Sequence, residues 1–187
     1  MKIQVYSAIT CNHDPWRKDV PVFSDYSRFG NPALAARFYK TAPHLLYPKA
    51  QWTIWVDGNV TLNRSPEEFV YRVGPSGLGV FAHPHRDCIY DEAKVCAEAR
   101  LDDAKVIEKQ VKRYAADGYP KHYGLGATML LVRRNDPEIN ALNAKWFQEI
   151  CNGSIRDQIS FPYVFGFADY WPAEPVDQPN EWFTRIV

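Results

Sequence analysis

Asp57-Gly58-Asn59 closes an apolar and aromatic run, Trp52 to Val56. A carboxylate and an amide oxygen two residues apart can hold a hard divalent cation, Mg²⁺ or Mn²⁺, beside phosphates. The same residues also suit a tight hairpin, with Gly58 and Asn59 supplying positive φ. The run before Asp57 lacks clean alternation and reads as an interior strand buried on both faces, which weighs against a surface hairpin. A second chemical stretch is His83-Pro84-His85-Arg86-Asp87, placed just before the helical sequence Ile89-Tyr90-Asp91-Glu92-Ala93. The fork of Arg86 is planar and permanently charged, as a diphosphate requires, and His83 can donate to phosphate or ligate a metal. Its competitor is a solvated helix start. Arg37 and Lys40 share one helix face, as phosphate ligands or as a solvated face. Ser154-Ile155-Arg156-Asp157-Gln158 has the Ser-x-x-Asp spacing of a capping box, which leaves Arg156 and Gln158 unexplained.

The elements that must position these groups follow from periodicity and punctuation. Lys2 to Ile9, Val20 to Phe23, Trp52 to Val56, Val80 to Ala82 and Ala127 to Val132 read as strands. Pro32 to Tyr39, Glu67 to Arg72, Ile89 to Arg100, Ala104 to Ala116 and Pro137 to Ile150 read as helices. A last helix begins after Ser154, and Pro162 must kink or end it. Thr10 to Pro15 reads as a turn, and the proline-containing tail 171–187 as an extended wrap. Strands alternating with helices imply a single α/β domain over 1–187 with a mainly parallel central sheet. In such sheets ligands sit beyond the carboxyl ends of the strands. Thr10 to Asp14, Asp57 to Asn59 and His83 to Arg86 all fall at such ends, which points to one shared site.

Composition bounds the partners. In 187 residues, Lys plus Arg equals Asp plus Glu at 22 each, so the chain lacks the basic footprint of a nucleic-acid binder. A local basic pocket for a phosphate-bearing small molecule stays open. No apolar run is long enough to span a membrane, and the N-terminus MKIQVYSAIT lacks the apolar core of a signal peptide. The expected compartment is cytoplasmic, with Cys11, Cys88, Cys96 and Cys151 as reduced thiols.

Six stretches together carry a resemblance: VYSAIT from Val5, ARFYKTAPHLLYP from Ala36, IWVDGNVTL from Ile54, HPHRDCIYDEA from His83, GLGATMLLVRRND from Gly124 and SIRDQISFPYV from Ser154. In this order they resemble the glycosyltransferase-like domain of the plant turgor-regulation-defect and mucilage-related proteins and their bacterial relatives. The resemblance implies a GT-A-like nucleotide-binding sandwich that uses a nucleotide-sugar donor, UDP-linked by expectation, and a glycan or lipid-linked glycan acceptor. It places Tyr6, Thr10, Arg37, Lys40, His83, Arg86 and Arg156 on the donor side. Asp57 and Asn59 stand where related enzymes carry Asp-x-Asp, implying Mn²⁺ or Mg²⁺. Gly124 and Gly126 would let the backbone approach the sugars, with Asp91 and Glu92 nearby. Asp157 and Gln158 would lie under the donor sugar as the catalytic pair, with Asp91 as an alternative base. Two features depart from the family's pattern: Asn59 is a weaker ligand than Asp, and no histidine follows His122. The rival readings are a nucleotide or phosphoester hydrolase at the same acidic cluster, and a non-catalytic carbohydrate binder that stacks sugars on its tryptophans and tyrosines.

Overall fold

The computed structural model describes residues 1–11 and 14–186; Asn12 and His13, in the expected turn after the first strand, lie outside them. The central sheet has six strands in the order β2-β1-β3-β6-β5-β7. These are β1 (Ile3–Ala8), β2 (Val22–Phe23), β3 (Trp52–Val56), β5 (Leu78–Ala82), β6 (Gly126–Arg134) and β7 (Asp169–Trp171). Pairings β1–β2, β1–β3 and β5–β7 are parallel, and only β6 runs against its neighbours β3 and β5. The sheet is therefore mainly parallel, as expected.

The interior strands are apolar on both faces because both faces are covered. Trp55, Leu131 and Val80 pack one way, with Trp146, Ile150 and Phe161 from α6 (Pro137–Asn152) and α7 (Asp157–Val164). Ile54, Val56, Leu130, Val132 and Phe81 pack the other way, against Phe69 of α3 (Pro66–Arg72) and Phe183. Phe183 belongs to β8 (Phe183–Arg185), which pairs antiparallel with β4 (Val60–Leu62). Each adjacent pair along a strand thus splits between two cores, the period-two signature of a doubly covered sheet. A third cluster joins α4 (Ile89–Glu98), α5 (Ala104–Ala116) and α7.

The strand before Asp57 is interior as expected, and the capping-box reading of Ser154 is corrected. Asp57-Gly58 is not a hairpin turn: β4 leaves the central sheet and pairs with β8, and neither Gly58 nor Asn59 has positive φ. Glycine is required at 58 for space, since a Cβ there would lie 2.5 Å from Asp14 Oδ2 and 2.9 Å from Ile9 Cγ1. Nor is Ser154 a helix cap. Arg156 holds the N-cap position of α7 without a side-chain cap bond, and Ser154 Oγ donates to Asp102 Oδ2 at 2.7 Å. Helix α4 also stops at Glu98, short of Arg100, which turns to φ 54°. No helix among the described residues is long and apolar enough to cross a membrane.

Candidate functional site

Helix α1 (Pro32–Thr41) begins on the Asn31 cap and carries Arg37 and Lys40 toward the carboxyl end of β3. Its C-terminal turn is fixed by Arg133 of β6, fully buried, which donates to the Lys40 carbonyl at 2.7 Å and to the Tyr6 hydroxyl at 3.0 Å. Lys40 itself is 1% exposed. Its ammonium lies 2.7 Å from Asp157 Oδ2 and 3.5 Å from Asp57 Oδ1, and it donates to Thr128 Oγ1 at 3.2 Å. Thr128 in turn donates to Asp157 Oδ2 at 2.9 Å. Arg37 Nε reaches Asp157 Oδ1 at 3.0 Å and the Ile155 carbonyl at 3.1 Å.

One lysine therefore bridges two carboxylates far apart in the sequence, Asp57 and Asp157, and Asp157 takes a second cation. Burial alone would raise the Asp157 carboxyl. Arg37 and Lys40 more than offset that and hold it well below the usual carboxylate range. Asp157 is thus ionised at neutral pH, a weak base and a strong organiser of its two cations. Asp57 differs. Its side chain is 36% exposed, and its Oδ1 also accepts from Trp55 Nε1 at 2.8 Å.

These groups open into a cleft of about 460 Å³. Its wall carries five basic side chains, Arg37, Lys40, Arg86, Arg156 and Arg185, against three carboxylates, Asp57, Glu92 and Asp157. In a chain with no net charge, this is a local positive well. Arg86 Nε is paired with Glu92 Oε2 at 2.6 Å. Arg156 Nε is buried without a hydrogen bond, while the side chain feels the charges of Asp157 and Glu92 and lies against Cys96. The His83 ring accepts the backbone N–H groups of His85 and Arg86 at Nδ1, its Nε2 lies 3.4 Å from Arg86 Nη2, and burial lowers its pKa.

The structure brings Arg37, Lys40, Asp57, His83, Arg86, Glu92, Arg156, Asp157 and Gln158 to this one cleft. It places the others elsewhere. Tyr6 lies in the core, where burial pushes its hydroxyl up to about 12. Thr10 Oγ1 donates to the Pro32 carbonyl at 2.7 Å and lines a separate depression with Cys11 and Asp14. Two of the three strand ends read as one site are thus shared, and the first is apart. Gly124 adopts φ +95° beside Tyr170, and Gly126 makes room for Phe161 and Val80, 3.0 Å from a would-be Cβ. Asp91 is exposed near Cys88 and His122.

Asn59 turns away from the cleft to donate to the Ile186 carbonyl at 2.9 Å. Of the expected metal pair only Asp57 lines the cleft, with its Oδ1 already taken by Trp55 and Lys40. Mg²⁺ or Mn²⁺ would take phosphate and water oxygens beside one or two carboxylates, so Asp57 alone is a sparse protein contribution and the expected Asn59 ligand is not part of it.

Thr128, Trp55, Arg133 and Arg185 escaped the sequence reading. Thr128 and Arg133 are polar residues inside an otherwise apolar strand, a signal that such groups meet buried partners. Arg185 had no local signal, because only the β4–β8 pairing brings it to the cleft wall.

The family model for the TOD1/MUCI70 glycosyltransferase-like domain matches residues 16–169. The chain is 27% identical to the probable hexosyltransferase MUCI70 of Arabidopsis thaliana, over 67% of this chain and 23% of that protein. It is 24% identical to the alkaline ceramidase TOD1 of Arabidopsis thaliana, over 72% of this chain and 32% of that protein. The chain thus spans 23% and 32% of the length of these two curated relatives. No solved structure matches it.

Proposed function

This chain belongs to the TOD1/MUCI70 glycosyltransferase-like domain family, and we propose that its cleft binds the diphosphate of a nucleotide-sugar donor, UDP-linked, and passes the sugar to a hydroxyl of a glycan or lipid-linked glycan. The observation that carries the reading is the positive well built around Asp157. A diphosphate needs several fixed cations, and a balanced chain has concentrated five of them on one wall.

In the transfer, the bond from the sugar's anomeric carbon to the diphosphate oxygen breaks, and negative charge gathers on that oxygen. Lys40, Arg37 and Arg156 are preorganised to meet it, so little reorganisation is needed as the charge develops. The acceptor oxygen bonds to the anomeric carbon and loses its proton. Asp157 is too firmly paired to take that proton; it holds the cations in place, with Gln158 beside it. Asp57 is the most accessible carboxylate of the cleft, its side chain 36% exposed against 5% and 4% for Asp157 and Glu92, and is the candidate proton acceptor. No step runs through a metal.

Other readings find less support. No Trp, Tyr or Phe lines the cleft, so sugar stacking of the kind a carbohydrate-binding module uses has no platform there. One relative is named a ceramidase, but the cleft's apolar lining, Val95, Leu101, Met129 and Val176 among it, is shared with eight charged side chains, which suits a charged ligand better than acyl chains alone. The test is incubation with UDP-hexoses, with and without oligosaccharide acceptors, and mass analysis of the products. Sugar joined to acceptor supports transfer. Free sugar released equally without acceptor indicates a hydrolase, and no UDP binding at all removes the nucleotide-sugar reading.

A further inference from the structure

Outside the cleft, the start of α4 holds a second chemical cluster. Cys88 occupies the N-cap of α4, yet its side chain makes no cap bond. Cysteine is a poor cap, because thiol sulfur is a weak acceptor. Three residues on, Asp91 projects from the same helix face. His122, from the loop after α5, completes the group. Cys88 sulfur, an Asp91 oxygen and a His122 ring nitrogen all lie within 4.8 Å of one another. Cys88 is buried, while Asp91 and His122 face solvent, so the cluster has an entry path.

Two independent features mark this trio as more than neighbours. His122 is one of two non-glycine residues with positive φ among those described, at 54°. Such a backbone costs energy and persists where surrounding structure requires it. Its Nδ1 lies 2.8 Å from Asp87 Oδ1, which leaves Nε2 as the ring atom available to a ligand. A carboxylate on the far nitrogen is the second partner that orients metal-binding histidines. The loop is also tied at its end, where Gly124 N–H donates to the Asp87 carbonyl at 2.9 Å.

We propose that Cys88, Asp91 and His122 form a binding site for a borderline-soft divalent cation, Zn²⁺ by its donor set, with Asp87 orienting the histidine. One sulfur, one nitrogen and one carboxylate oxygen are ligands that zinc accepts in tetrahedral geometry, and they leave a fourth position for water. On binding, the Cys88 thiol gives its proton to solvent as the metal–sulfur bond forms. The ion pins the 119–124 loop to the start of α4. That junction lies next to His83–Arg86, so occupancy stiffens one wall of the charged cleft without contributing an atom to it.

The experiment titrates the chelator-stripped full chain with Co²⁺ and follows its absorption, then displaces Co²⁺ with Zn²⁺. The expected result is one equivalent bound, with a thiolate-to-cobalt charge-transfer band that Zn²⁺ abolishes. Cys88→Ser is expected to lose the band. Because Cys88 is buried, the exposed positions supply a second arm that does not depend on the folding of that variant: His122→Ala and Asp91→Ala each weaken Zn²⁺ binding about tenfold or more, consistent with loss of a ligand. Absence of the band overturns the proposal, as does a band that survives Cys88→Ser, or Zn²⁺ affinity unchanged in both surface variants.

Discussion

Lys40 and Asp157 form the most consequential pair in the molecule, because both are almost fully buried and neither can relax into water. Breaking such a pair from one side leaves an uncompensated charge, at a cost of about 3–5 kcal/mol. Asp157→Asn is therefore expected to lower the unfolding free energy by about that much in urea titrations near neutral pH, because Lys40 and Arg37 then share no anion. Loss of a mere helix cap would cost about 0.5–2 kcal/mol, so the measurement separates the two roles. The pH dependence has a definite sign. The Asp157 carboxyl is held below its unfolded value, so its ionisation stabilises the fold in full above about pH 4 and less as pH falls through the depressed folded value. Acid stability of the wild type should thus fall more steeply below about pH 4 than that of Asp157→Asn. Parallel acid profiles would show that Asp157 is not the charge that matters. The residue types of this centre were visible in sequence, since Arg37, Lys40, Asp57 and Asp157 are conspicuous polar groups beside apolar runs. Their pairing was not, because Lys40 and Asp157 are brought together only by the packing of α1 and α7 on the sheet.

At the scale of elements, most strands and helices were legible because hydrophobic period and punctuation agree. Helix α3 shows this in small: Ser65 and Glu68 form a reciprocal capping box ahead of Phe69 and Val70. The hidden elements were the short helix α2 (Pro43–Leu46) and the strands β4, β7 and β8, three residues each, which owe their form to tertiary pairing rather than to local pattern. Strand β7 sits on the sheet edge with Trp171 over Gly79, where a Cβ would come within 2.2 Å of Trp171 Cζ2. Gly79→Ala must therefore displace the indole or the strand, with a destabilisation of about 1–3 kcal/mol expected from overpacking. A denaturation midpoint equal to wild type would mean that β7 is not packed as described. The indole has a further restraint, since the Arg72 guanidinium stands 5.0 Å from Trp171 and 4.2 Å from Trp182. This clamp holds the tail that delivers Arg185 to the cleft. Sequence showed the aromatic residues without showing that they serve the core and the tail rather than a sugar.

Over the whole molecule, a formally neutral chain presents a charged cleft, and the electrostatics of the site are set by placement rather than by composition. Binding of a nucleoside diphosphate should therefore weaken as ionic strength rises, since salt screens the partly exposed cations Arg86, Arg156 and Arg185. It should change little when Mn²⁺ or Mg²⁺ is added, because fixed cations already occupy the role. A salt-independent affinity, or one that appears only with metal, would count against neutralisation by side chains. The central claim is that this wall of cations receives the diphosphate, and Arg156 tests it most directly, since its Nε is buried without a hydrogen-bond partner and its stem can be kept by substitution to methionine. The deciding measurement is a calorimetric titration of UDP into the wild type and into folded Arg156→Met. A wild type that binds UDP and a variant that binds it about tenfold or more weakly, a loss of about 1.4 kcal/mol or greater, is the expected result; equal affinity in the two proteins would contradict it.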